Sequence, residues 1–233
     1  MVFLFAAGLG CRCENLWSSM ALPTEIAHEI TGLQDRRTRE WHQPEGETGR
    51  SPSLPAGSDS TELRELLAGV ERQHQANFEL WHIEDEARRT SASDAEIADV
   101  KRRIDRTNQR RNDLAEALDL MLLEWLKARD LPRPAAPLNS ESPGLIVDRL
   151  SILSLKIFHT REELERRDAP EGHAERNRGR LAILEEQRSD LAGCLDELWQ
   201  QTLEGTRRFR LYRQLKMYND PLLNPAMYSE RSQ

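Results

Sequence analysis

Cysteine is scarce in this sequence, aromatic residues are few, and no apolar run is long. Its 233 residues include three cysteines, and aromatic side chains make up 6%. Cys11 and Cys13 lie close to the N-terminus and Cys194 sits in an apolar helical pattern, so no disulfide framework is implied. A reducing cytoplasm fits that usage. Alternating β-branched runs are missing, which argues against strands. Missing too are a glycine-rich phosphate loop, a nucleophile elbow and clustered zinc ligands. The net charge of −7 argues against nucleic acid as the partner of the whole surface. No stretch has the length and apolarity of a membrane span.

What remains is the composition of a helical protein. Charged residues make up 31% and apolar residues 38%, which suits solvated helices around a modest core. Pro143–His159, PGLIVDRLSILSLKIFH, is the most apolar stretch after the extreme N-terminus. A helix apolar nearly all round is a buried helix. Ser142 suits its N-cap and Pro143 its first helical position, where a missing N–H costs nothing. Asp148, Lys156 and His159 interrupt the run, and their spacing puts them on roughly one face.

The first residues, MVFLFAAGLGC, outline a targeting signal without a basic start, and Gly8 is a poor fit to a lipoprotein signal. The simpler reading is a start codon placed early, with translation beginning at Met20, so residues 1–19 are a doubtful extension. Residues 20–42 form an amphipathic N-terminal helix with Ile26, Ile30, Leu33 and Trp41 near one stripe. Residues 43–59 are rich in Pro, Gly and Ser and read as a flexible linker. The bundle domain spans 60–228, and 229–233 is a tail.

Within that domain Ser60 opens a long helix whose stripe runs Leu63, Leu67, Val70, His74, Asn77, Trp81, then Glu84 or Asp85 and Arg88. Ser93 and Glu96 make a capping box for the next helix, which ends near Arg129. Its seam begins polar and ends apolar, so the polar ends meet across the turn. Prolines over 130–137 close this hairpin, and Pro143–Glu204 forms a second. The predicted fold is all-α: an antiparallel helical bundle built from two long hairpins. The N-terminal helix packs outside it, as does a basic C-terminal helix, TRRFRLYRQLKMY. A weak repeat at an offset of 77 residues aligns Arg111–Asp119 with Arg188–Asp196 and places Trp81–His82 on Phe158–His159.

The strongest polar constellation is Glu84, Asp85 and Arg88 from one helix with Lys101, Asp105, Asn108 and Arg111 from the next. Salt bridges fixing register are one reading. The other is a ligand pocket completed by Asp148, Lys156 and His159, because acids, Arg and His together suit phosphate or carboxylate recognition and proton transfer. The basic segment with Arg213 and Lys216 reads either as a solvated face docking on the acidic bundle or as a second candidate anion site. Glu-x-x-His occurs at Glu25–His28 and Glu79–His82. Glu79 lies about 200° round the helix from the core stripe, so no metal site is expected there. His42 and His173 read as surface or capping groups.

NFELWHIEDEARR (77–89), KRRIDRTNQRRND (101–113), LNSESPGLIVDRLSILSLKIFH (138–159) and YRQLKMYNDPLLNPAMY (212–228) resemble a bacterial family catalogued as domain of unknown function 4254. Ser142 stands where that family is expected to carry Thr. The resemblance implies a cytoplasmic protein whose genes often lie near glycosyltransferases of cell-envelope polysaccharide or lipopolysaccharide synthesis; it supplies no established activity. Two functions fit. One is a binding or accessory protein recognising a phosphate-bearing small molecule or a partner such as a glycosyltransferase. The alternative is an enzyme with an anion-binding site in the bundle core and His159 as general acid or base. No motif names a cofactor.

Overall fold

The computed structural model describes residues 23–43, 60–215 and 222–229. Among them the helices are α1 (Ala27–Trp41), α2 (Thr61–Glu86), α3 (Asp94–Lys127), α4 (Pro143–Glu165), α5 (His173–Leu203) and the short α6 (Pro225–Tyr228). No strand occurs among the described residues, and Leu138 and Arg208 form an isolated bridge. The fold is all-α. Residues 1–19, most of the 43–59 linker and Lys216 lie outside the described residues.

Helices α2, α3 and α4 each start after a serine. Ser60 Oγ accepts from the Leu63 N–H at 3.1 Å. Ser93 and Glu96 form the expected capping box. Ser142 occupies the N-cap position of α4 but makes no side-chain cap bond there. It donates instead to Asp119 of α3, whose other carboxylate oxygen accepts from the Gly144 N–H at 2.7 Å. The acid that caps α4 therefore comes from the preceding helix, where it also favours the positive end of the α4 dipole.

The two hairpins, α2–α3 and α4–α5, are present. Glu86–Arg103 at 2.6 Å and Glu79–Arg110 tie α2 to α3. Helix α4 packs against α1, α2, α3 and α5. Of residues 143–159 only Arg149 and Lys156 are exposed.

Two expectations need correction. Helix α1 does not pack outside. Ile26, Ile30, Leu33, Gln34 and Thr38 are buried, and α1 contacts α2, α4 and α5. Ile26 has no side chain to cap the helix. Asp196 of α5 does so, accepting from the backbone N–H groups of Ile26 at 2.7 Å and Ala27 at 2.9 Å. The basic C-terminal helix is also absent from its described part: residues 206–215 form no helix. Gly205 at φ 73° ends α5. Beyond it, Arg208 N–H donates to Pro137 O at 3.0 Å and its carbonyl accepts from Asn139 at 2.7 Å. Phe209 is buried in the core beside these bonds. Tertiary pairing and one buried ring outweigh the local helical preference of a charged segment.

Candidate functional site

Asp148 lies in the second turn of α4 and is 6% exposed. Its carboxylate accepts from Gln73 Nε2 at 2.6 Å and Asn77 Nδ2 at 3.0 Å, and from Arg111 Nε at 2.8 Å and Nη2 at 2.6 Å. The bidentate fork matches guanidinium to carboxylate. Hydrogen bonding to Asp148 raises the Arg111 pKa, against the effect of burial. A directed chain leads on into the core. Asn77 donates to Ser151 Oγ at 2.9 Å, and Ser151 bonds His74 Nδ1 at 2.7 Å. His74 Nε2 faces Thr38 Oγ1 at 2.9 Å, and that hydroxyl donates to the Gln34 carbonyl at 2.8 Å. Because the Thr38 proton is spent on the carbonyl, His74 carries its proton on Nε2 and accepts from Ser151. Burial lowers the His74 pKa to about 4, so the ring is neutral at pH 7. This network joins α1, α2, α3 and α4 and explains why polar residues interrupt apolar stripes.

Above Asp148 opens a groove of about 430 Å³ lined by Asn77, Leu80, Trp81, Glu84, Asp85, Arg88, Arg111, Ile152 and Leu155. The structure thus brings Glu84, Asp85, Arg88 and Arg111 together. Glu84 of α2 pairs at 3.3 Å with Arg88, which follows the helix end and is largely exposed. Arg111, expected to face Glu84 or Asp85, turns to Asp148 and lies 3.4 Å from Asn108 Oδ1. Lys101 pairs with Asp105 along α3. Lys156 is exposed and does not share the Asp148 face. It lines a separate hollow between α4 and α5 with Glu141, Arg149, Asp190 and Cys194, and Cys194 is exposed rather than apolar-packed. The angular offset between residues 148 and 156 is about 80° at 3.6 residues per turn, enough to turn Lys156 away. Arg213 is exposed on the extended segment.

His159 points elsewhere. Its ring stacks on Trp81 at 4.8 Å, and Trp81 also lines the groove. One ring nitrogen each of His42, His82 and His159 lies within 4.8 Å of the others. His42 follows the last turn of α1, so it is no isolated surface group; it stacks on Phe158 at 4.3 Å. Each Nδ1 is occupied: His42 bonds Thr38 O at 2.7 Å, His82 bonds Phe78 O at 2.9 Å, and His159 bonds Glu162 Oε2 at 2.7 Å. The Nε2 atoms of His42 and His159 are buried without a partner among the described residues. Burial lowers the His42 pKa, and the neighbouring His159 and His82 push the same way. The Glu-x-x-His pairs play no part as pairs: Glu79 is bound to Arg110, and Glu25 and His28 are exposed.

The profile of a family described as a protein of unknown function (DUF4254) matches residues 67–211, more than half of the chain. The chain belongs to this family. The family match takes in every residue lining the groove, together with His82 and His159, while α1 and His42 precede it. No curated protein and no solved structure matches the chain.

His159 is a candidate in the sequence, whereas its companions His42 and His82 join it only in the folded chain. A signal was present: an aromatic residue followed by His recurs at 41–42, 81–82 and 158–159. The 77-residue offset joined the last two, and only α1's place in the core brings in the first.

Proposed function

We propose that the protein is a cytoplasmic binding or accessory component of cell-envelope polysaccharide or lipopolysaccharide glycosylation, holding a sugar phosphate or related phosphate-bearing ligand in the α2–α3–α4 groove. The observation that carries this reading is the two-signed lining of that groove. Leu80, Ile152, Leu155 and the Trp81 ring supply apolar surface, while Glu84, Asp85, Asn77, Arg88 and Arg111 converge above it. Ligand sites are commonly apolar hollows with a few placed polar groups. Carboxylates accept from sugar hydroxyls. Arg88, whose side chain is 68% exposed and paired with Glu84, can exchange that exposed pair for a phosphate. Arg111 is already spent on Asp148, so the groove has one available guanidinium and favours a single phosphate. The glycosylation setting rests on the gene neighbourhoods of the family that the chain resembles, which also makes a glycosyltransferase the natural protein partner.

The test is a thermal-shift and tryptophan-fluorescence titration against sugar phosphates, nucleotide sugars and inorganic phosphate. A ligand of the folded state at 100 times its Kd stabilises by about 2.7 kcal/mol. The expected result is saturable stabilisation by a sugar phosphate, weakened about tenfold or more in Arg88→Ala and lost in Trp81→Ala. Failure of all these compounds to shift the melting curve overturns the reading, as does undiminished binding by Trp81→Ala.

A second reading, an enzyme using His159 as acid or base, is favoured by its buried, unpartnered Nε2 next to the groove's Trp81. His159→Leu that folds normally and still supports the cellular function would end it.

A further inference from the structure

We infer that His42, His82 and His159 form a three-histidine site for a divalent transition-metal ion, with zinc the best match. The inference stands apart from the groove reading and does not need it.

Each histidine comes from a different helix: His42 from the end of α1, His82 from α2 and His159 from α4. The proton positions follow from their partners. A backbone carbonyl or a carboxylate only accepts, so the Nδ1 atoms facing Thr38 O, Phe78 O and Glu162 Oε2 must carry hydrogen. In the neutral rings every lone pair is then on Nε2. Metal-bound histidines commonly have this arrangement, with the remote N–H donated to a carbonyl or a carboxylate. It fixes the tautomer and the ring orientation before any ion arrives.

A purely structural aromatic cluster does not account for the Nε2 atoms. Those of His42 and His159 are buried and without a partner among the described residues, although buried acceptors without partners are costly. An ion shared by the three rings would satisfy them. The surroundings are also dry on several sides, since Phe78, Phe158 and Trp81 all pack on these rings.

Distance and donor type set the ion. The ring nitrogens span up to 4.8 Å. A tetrahedral zinc with Zn–N bonds of about 2.0–2.1 Å needs them about 3.4 Å apart, so the rings must draw together on binding. Calcium and magnesium require oxygen ligands and are excluded by an all-nitrogen set. Imidazole suits zinc, copper, iron, cobalt and nickel. Three histidines leave a fourth zinc position for water or another ligand.

The experiment uses the full chain, stripped with a chelator and dialysed. Zinc, cobalt and magnesium are titrated separately, with metal content, melting temperature and the visible spectrum of bound cobalt as readouts. The expected result is one zinc per chain, a melting temperature that rises with zinc but not with magnesium, and a tetrahedral cobalt spectrum. His82→Gln should lose at least tenfold in zinc affinity. Glu162→Gln, at an exposed position that leaves all three ligands and the fold intact, should lose about 10–100-fold. No zinc bound at micromolar concentration overturns the inference. So does binding that is undiminished in both His82→Gln and Glu162→Gln, which would place the ion on other groups such as the thiols. If His82→Gln fails to fold, Glu162→Gln alone decides, because its metal-free melting should equal that of the wild type.

Discussion

Arg111→Met tests the polar network most directly. The substitution removes the fork onto Asp148, two bonds of 2.8 and 2.6 Å, and leaves a carboxylate that is 6% exposed with only the amides of Gln73 and Asn77. Breaking a buried ion pair by removing one partner costs about 3–5 kcal/mol. Arg111's side chain is 23% exposed, so water can reach the vacated place, and the two amides still hold the charge. The lower end, about 3 kcal/mol, is therefore expected. For a chain of this size that lowers Tm by about 6–12 °C. Urea denaturation and thermal melts at pH 7 measure it. Pairing Arg111→Met with Asp148→Asn removes the stranded charge while keeping an acceptor for Gln73 and Asn77, so the double variant should recover at least half of the loss. A single variant melting within 2 °C of the wild type, or a double variant no better than the single, would refute the assignment of Asp148 as a buried charge held by Arg111.

Gly144→Ala should destabilise by about 2–4 kcal/mol, because a Cβ there meets the Ala115 carbonyl and sits 2.9 Å from Asp119 Oδ1; a melting curve like that of the wild type would show that α3 and α4 are not so close. His74 and Asp119 should give opposite pH dependences. Burial lowers His74 to about 4, below its unfolded value of about 6.5, so its contribution is present above pH 6.5 and falls by about 3 kcal/mol as pH drops to 4. Burial raises Asp119 to about 6, although hydrogen bonds from Ser142 and Gly144 oppose it; this contribution is full below the unfolded value of about 3.8 and is lost as pH rises through 6, again about 3 kcal/mol. The two nearly cancel in the wild type. His74→Gln should therefore gain stability relative to the wild type between pH 7 and 4, and Asp119→Asn should lose it, as paired melts at both pH values will show.

Periodicity and capping chemistry in the chain determine five helices, the two hairpin turns and the burial of α4. These signals are local: a Ser–Glu box, a Pro after a serine, and apolar residues three and four apart act within one or two turns. Asp148 and His159 were legible as candidates because a polar residue on so apolar a helix must find a partner. Which partner it finds is not local. The sequence pairs the acids of α2 with Lys101 or Arg111; Arg111 forks onto Asp148, a partner that only the packing of α3 on α4 supplies. Spacing alone places Lys156 roughly on the face of Asp148, and about 80° of helical twist puts it in solvent. The C-terminal basic segment is composed of helix-compatible residues, yet a backbone pairing with 137–139 and the burial of Phe209 keep its described part, 206–215, out of a helix. The histidine cluster depends most on tertiary structure. Its members lie 40 and 77 positions apart, and they meet only because α1 enters the core, where burying Ile26, Ile30 and Leu33 stabilises more than leaving that helix outside.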